Sequence, residues 1–233
     1  MAPSTFMPTS WRTPDIEEYR AQVRRFVTTE VAPHQQRWAK QQHVDRDLWN
    51  KAGALGMLAS DVPSEYGGSD GNVAHQTVMI EELTAVGDTS FSISVHAIVQ
   101  QYILKQGTEE QKRRYLPKLA SGEMVGAIAM TEPGGGSDLQ GVRTRAERQG
   151  DHWVLNGAKT FISNGFLADL VVVVARTGTE PGARGISLLL VETKDRPGYR
   201  VGRVLEKLGQ KGQDACELFF EDVHVPADAV LGG

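Results

Sequence analysis

Apolar positions fall into two regimes along this chain. Before residue 122 they recur at spacings of three and four; beyond it they come in short blocks broken by glycine. Thr13-Pro14 reads as an N-cap followed by proline at the first helical position. Ile16, Tyr19, Val23, Phe26 and Val27 then mark one face of a helix, with Pro33 near its end. Asp47 to Leu55 is a second, shorter amphipathic segment, and Gly56 is its stop signal. Pro63 and Glu65-Tyr66-Gly67-Gly68 mark a loop. His75 to Val86 and Ser90 to Lys105 are two longer helices, the second apolar nearly all round and therefore expected to be buried. Thr108 to Gln111 opens another helix, which Pro117 is expected to disturb.

The second regime reads as strands. Val125 to Met130 is a short apolar run. Arg143 to Arg148, a Gln149-Gly150-Asp151 turn and His152 to Asn156 form a hairpin pattern, with Asn156-Gly157 as a second turn signal. Asp169 to Ala175 holds four consecutive valines, a β-branched run suited to a buried strand. Gly185 to Val191 and Ala215 to Val225 complete the pattern, the latter ending at Pro226. Seven or so short strands with turns between them predict an antiparallel barrel or sandwich. The fold class is therefore α+β: a flexible N-terminus over 1–13, an all-α domain over 14–122 and a small β domain over 123–233.

Composition sharpens the division. Of 25 glycines, 8 lie in 1–122 and 17 in 123–233, whereas charge is balanced in both parts and the net formal charge is only −4. That charge makes no electrostatic case for nucleic acid. A single cysteine, Cys216, excludes a disulfide framework and a cysteine-based zinc site, and the six histidines never pair at metal-ligand spacing. His96 lies in the apolar helix and reads as a satisfied core residue. The longest uncharged run, Thr89 to Leu104, is 16 residues and carries His96, Gln100 and Gln101, too short and polar for a membrane span. Met1 to Ser10 has neither a basic nor an apolar signal region, which makes a cytoplasmic location the default expectation.

The densest candidate for chemistry is Thr131-Glu132-Pro133-Gly134-Gly135-Gly136-Ser137-Asp138, directly after a strand. Three glycines remove every Cβ, so that backbone N–H groups can turn toward one point and bind an anion such as a pyrophosphate; the plain alternative is a flexible hairpin loop. Ser137 adds a hydroxyl at the rim. Leu139 breaks both the dinucleotide fingerprint and the nucleophile elbow, and no Gly-Lys-Ser/Thr follows for a P-loop.

Gly126-Ala127-Ile128-Ala129-Met130 running into this segment resembles the flavin-binding signature of acyl-CoA dehydrogenases. A second match follows at Asn156-Gly157-Ala158-Lys159-Thr160-Phe161-Ile162-Ser163-Asn164-Gly165. A third runs from Lys207-Leu208-Gly209 to Phe219-Phe220-Glu221-Asp222-Val223-His224-Val225-Pro226. Pro63 to Gly68 and Glu81-Glu82-Leu83 fit as well. The stretches Ala127 to Gly141, Phe161-Ile162-Ser163 and Gly185-Ile186-Ser187 are most similar to the long-chain branch.

The resemblance implies FAD as cofactor. The backbone of Ile128, Ala129, Met130 and Thr131 would line it, with Thr131 near the isoalloxazine ring. Gly136 and Ser137 would approach the pyrophosphate, and Ser137 would also lie close to an acyl-CoA substrate. Phe161 and Ile162 would pack on the flavin, and Ser163 would hydrogen-bond near N5, the atom that accepts hydride. Three departures stand out: Gly135 where alanine is common, Phe161 where many members have tryptophan, and Ser163 where many have threonine. Asp214-Ala215-Cys216 lacks the hydroxyl that many relatives carry there, and no function transfers to it.

Family members continue into a C-terminal helical bundle that supplies the catalytic carboxylate, and this chain lacks it. No catalytic residue is therefore assigned here; Glu132 qualifies only by charge and reads as a carboxylate that shapes its turn. The implied activity is α,β-dehydrogenation of a fatty acyl-CoA to a trans-2-enoyl-CoA. Electrons would pass to an electron-transfer flavoprotein, in a homotetramer or homodimer, and the 233-residue chain alone would scarcely turn over. Two alternatives stand: an acyl-CoA oxidase-type flavoenzyme of the same fold, and a non-catalytic module that binds acyl-CoA or flavin.

Overall fold

A computed structural model of the protein describes residues 10–233. Most of the segment expected to be flexible, 1–13, lies outside the described residues. Trp11, just inside them, packs against the helical core. Helix α1 (Pro14–Phe26) buries Ile16, Val23 and Phe26, three of the five residues of the predicted face. It widens into a π-turn over Val27–Val31, where Thr29 Oγ1 donates to the Arg25 carbonyl at 2.9 Å, and passes through a short 3₁₀ turn at Pro33 into α2 (Gln35–Gln41).

Helices α3 (Arg46–Ala54), α4 (Val73–Ala85), α5 (Ile93–Gln106) and α6 (Glu109–Ala120) follow. Pro117 does not break α6. It sits in the last turn, so only one intrahelical hydrogen bond is lost, and a capping box at Thr108 and Gln111 secures the other end.

The β domain is a curled seven-stranded sheet in the order β1-β4-β2-β3-β7-β6, with β5 paired to β4. Its strands are β1 (Gly126–Ala129), β2 (Arg145–Gln149), β3 (His152–Ser163), β4 (Leu170–Arg176), β5 (Ile186–Glu192), β6 (Tyr199–Val204) and β7 (Ala215–Pro226). The sheet is mixed: β1 and β2 both run parallel to β4, and the other pairs are antiparallel. The parallel pair arises because β1 leaves the helical domain and lies beside a strand that comes some forty residues later, with the β2–β3 hairpin forming in between.

Strand β4 explains its own lack of alternation. Val171, Val173 and Ala175 enter the sheet's inner core, while Leu170 and Val172 pack with Val99, Ile103, Leu116 and Leu119 of the helices. Both faces are covered, so both are apolar. His96 of α5, fully buried, donates from Nε2 to the Leu119 carbonyl and accepts the Gly126 N–H at Nδ1, each at 3.0 Å. As the sequence suggests, it is a satisfied core histidine, and it pins the start of β1 to α5.

Candidate functional site

Strand β3 departs most from its sequence reading. Asn156-Gly157 is no turn; it is a bulge, and the strand runs on to Ser163. Gly157 has φ 152°, and a Cβ there would lie 2.4 Å from Thr144 Oγ1, so the glycine is required by close approach. A second register shift falls between Lys159 and Ile162. Phe161 takes φ 60° inside it, a conformation that is costly for an aromatic residue. The extra residue breaks the alternation of faces. Lys159 and Ile162 both point inward, and Phe161 is thrown out with 67% of its surface exposed.

This bulge lies beside the end of β1. The Thr160 N–H donates to the Thr131 carbonyl at 2.9 Å, and Lys159 Nζ donates to the Met130 carbonyl at 2.9 Å. Residues 128–131 and 161–163 therefore sit together. Ala129 and Ile162 bury their side chains in the sheet core, leaving only backbone to face a ligand; Ile128, Met130, Thr131 and Ser163 are half-buried. For Ile162 this narrows the role that the resemblance implies, because its side chain is not available as a wall.

The glycine loop continues from the same strand end. Glu132 and Gly135 exchange backbone hydrogen bonds at 3.0 and 3.1 Å around Pro133-Gly134. The expectation that all three glycine amides turn to one point is therefore not met, since the Gly135 amide is spent inside the turn. A Cβ at Gly134 or Gly136 would meet nothing within 4 Å, and Ser137 is exposed. The open side of this loop is where a ligand can approach main chain.

Beneath the loop Glu132 holds its turn, as its sequence reading expects, in a pair with Lys159, which sequence reasoning left without a role. Glu132 Oε1 accepts from Lys159 Nζ and from the Thr144 N–H, each at 2.9 Å, and Oε2 accepts from the Arg143 N–H at 2.8 Å. The Lys159 side chain is wholly buried. Burial opposes charge on the carboxyl, but the hydrogen bonds from Thr144, Arg143 and Lys159 outweigh it and hold Glu132 below the usual carboxylate range. Burial lowers the Lys159 ammonium from its ordinary value, and Glu132 partly restores it.

Beyond the bulge, Asn164 is buried at φ 62° and donates to the carbonyls of Ser92 and Gly126. It locks the end of β3 to the start of both α5 and β1. Asp214, also buried, accepts the Phe166 N–H at 2.8 Å; burial pushes its carboxyl up to about 6. The only signal for Asn164 was its motif, and Asp214, between Gln213 and Ala215, carried none.

A cavity of about 440 Å³ opens on the opposite side of α5 from β1, lined by Met57, Met79, Ile80, Ala97, Ile98 and Tyr102 among others. It explains why α5 is apolar all round: one face packs on the sheet and the other lines this space.

Comparison with known proteins places the arrangement. The profile of the acyl-CoA dehydrogenase N-terminal domain matches residues 13–123, and that of the acyl-CoA dehydrogenase middle domain matches 127–223. The chain belongs to the acyl-CoA dehydrogenase family. It is 48% identical over 217 residues to the mitochondrial long-chain specific acyl-CoA dehydrogenase of Mus musculus, covering 92% of this chain and 50% of that protein. The crystal structure of an acyl-CoA dehydrogenase from Geobacillus kaustophilus superposes with a TM-score of 0.92 at 45% identity, over 96% of this chain and 60% of the other. A glutaryl-CoA dehydrogenase from Mycobacterium smegmatis, solved in complex with FADH2, gives a TM-score of 0.84 at 35% identity, over 94% and 55%.

The chain thus spans about half the length of the curated relatives it matches, and the C-terminal bundle of the family is not among the described residues. The cytoplasmic expectation does not survive: the mouse relative is described as mitochondrial, and ten residues without a targeting pattern carry no weight against that. No helix among the described residues is long and apolar enough to cross a membrane.

Proposed function

We propose that the protein is an FAD-dependent acyl-CoA dehydrogenase that oxidises a fatty acyl-CoA at its α and β carbons to the trans-2-enoyl-CoA. The single observation that carries this reading is the main-chain bond from Thr160 to Thr131, which brings both signature segments to one place. The residues present fit a flavin. Gly134 and Gly136 leave open space where a side chain would stand, Phe161 offers an exposed aromatic face, and Ser163 a half-exposed hydroxyl.

Bound FAD would supply the hydride acceptor. The chain's own part is to bind and orient. Gly136 and Ser137 would take the pyrophosphate, with Ser137 also near the acyl-CoA. The backbone of Ile128 to Thr131 and of Ile162 would line the ring system. Phe161 would exclude water from one face, and Ser163 would donate its hydroxyl near N5. The α-proton must leave to a base. Glu132 is unsuited, because its carboxylate already accepts from Lys159, Arg143 and Thr144. We therefore place the base outside residues 1–233. The cavity beside α5 has the size and apolar lining of a small-molecule pocket and suits an aliphatic chain. Electron-transfer flavoprotein as acceptor and a homotetrameric or homodimeric assembly complete the reading.

The test is to express the natural full-length protein and the 233-residue chain, measure bound flavin, and follow single-turnover bleaching with palmitoyl-CoA. Full-length protein should carry flavin and bleach, and the short chain should barely turn over. Absence of flavin from the full-length protein would overturn the proposal. Normal turnover by the short chain would show that the base is misplaced. Peroxide release in step with bleaching would move the protein to the oxidases.

A further inference from the structure

Lysine is almost never fully buried, yet Lys159 has no exposed side-chain surface, and its partner Glu132 has 9%. Such a pair is weak evidence for stability, because desolvating two charges offsets most of their attraction. What the pair does achieve is geometric. The ammonium spans from the Met130 carbonyl at the end of β1 to Glu132 at the start of the glycine turn, each at 2.9 Å. The carboxylate then reaches the amides of Arg143 and Thr144. Thr144 in turn accepts the Arg176 N–H of β4 through its carbonyl at 2.8 Å. Two buried side chains thus tie together β1, the glycine turn, the entry to β2 and the bulge of β3. The bulge needs such a tie, since Phe161 sits in a left-handed conformation that surrounding structure must enforce.

We propose that Lys159 and Glu132 are positioning residues for the flavin. They set the spacing between the Met130–Thr131 strand end and the Phe161–Ser163 bulge, and thereby the affinity for the cofactor held between them. This rests on the FAD reading above. The pair is bonded to main chain at Met130, Arg143 and Thr144 and would act on the cofactor through that main chain.

The experiment uses the full-length protein. Lys159→Met, Glu132→Gln and the double variant E132Q/K159M are compared with the parent by two readouts: the FAD dissociation constant from flavin fluorescence, and the thermal midpoint of the apoprotein. Each single variant should lose both, because it leaves a buried charge without its partner. The double variant removes both buried charges at once, so its apoprotein midpoint should lie above that of either single variant, while it binds FAD at least tenfold more weakly than the parent. A merely structural pair would recover both readouts together; FAD affinity within twofold of the parent would therefore overturn the proposal. Should the double variant fail to fold, Glu132→Asp keeps the charge and shortens the reach by one methylene. It should show the same tenfold loss, and parental affinity there would equally sink the idea. A parent that binds no FAD would instead defeat the functional reading, and this inference with it.

Discussion

The Thr160 amide meets the Thr131 carbonyl at 2.9 Å, so the two segments that carry the candidate cofactor residues are joined by main chain. Short of Thr160→Pro, which lacks the N–H, no substitution at either threonine removes that bond. Changes at the site should therefore separate into those that alter the platform's surface, at Ser137, Phe161 and Ser163, and those that alter its support, at Lys159, Glu132 and Asn164.

Phe161 is exposed and holds φ 60°. The left-handed conformation costs a residue with a Cβ about 1–2 kcal/mol, and glycine escapes that cost while losing about 0.5–1 kcal/mol of unfolded-state entropy. Phe161→Gly should leave the apoprotein as stable as the parent or up to about 1.5 kcal/mol more stable. It should weaken FAD binding, since the aromatic wall is gone. Urea denaturation of the apoprotein and flavin titration check the two halves separately, and a destabilised apoprotein with parental FAD affinity would contradict both.

Ser137 stands exposed at the rim of the turn, beyond glycines whose outer side is open. Ser137→Ala removes one hydrogen-bonding hydroxyl. Its expected effect is a loss of about 0.5–1.5 kcal/mol in binding of FAD or acyl-CoA, with folding stability unchanged. Isothermal titration with each ligand measures it. Parental affinity for both would mean that the segment is a plain loop.

Much of this platform could be read in the sequence, and the reason is local. Helix faces, the valine run of β4 and the glycine turn are signalled by neighbours within a few residues. What stayed hidden depends on partners far along the chain. Asn156-Gly157 looks like a turn until Thr144 is known to crowd it from across the sheet. Strand β6 was missed because its half-exposed residues alternate weakly and its place is fixed by Gly198 lying against Glu221. Lys159 stands in its motif with no local sign of burial; the bulge two residues later turns it inward. Parallel pairing of β1 with β4 leaves no mark on either strand.

The cavity behind α5 predicts substrate selection. Ala97 lines it, with Ile98 and Tyr102 on the same helix face. Filling it with Ala97→Trp should exclude the far methylenes of a long acyl chain. Losing two or three buried methylenes at about 0.8 kcal/mol each corresponds to a loss of about 2 kcal/mol in transition-state binding. Thus kcat/KM for palmitoyl-CoA should fall at least tenfold in the full-length protein, with little change for butyryl-CoA. Equal losses for both chain lengths would mean the cavity does not hold the acyl tail.

Two buried groups give the fold opposing responses to acid. Burial depresses the His96 imidazole to about 4, against a smaller upward pull from its bond to the Leu119 carbonyl. Its folded value lies below its unfolded one of about 6.5, so the unfolded chain takes up the proton first. The stability linked to neutral His96 is present above about pH 6.5 and is lost as pH falls toward 4, amounting to about 3 kcal/mol. Asp214 runs the other way. Burial raises its carboxyl to about 6, partly countered by the Phe166 N–H and the Lys207 charge. Here the folded state holds the proton more tightly, so ionised Asp214 destabilises the fold above about pH 6, and that penalty fades as pH falls toward 3.8. Between pH 4 and 6 the two slopes oppose each other in the parent. Asp214→Asn keeps an acceptor for the Phe166 amide and removes the penalty. It should raise stability at pH 8 and leave the acid loss of His96 uncompensated. Urea midpoints at pH 5 and pH 8 should then differ more in this variant than in the parent. His96→Gln should show the reverse, less stable at pH 8 and gaining stability toward pH 5 as the Asp214 penalty fades unopposed; midpoints that shift by the same amount at both pH values in both variants would rule out this pair as the source of the pH dependence.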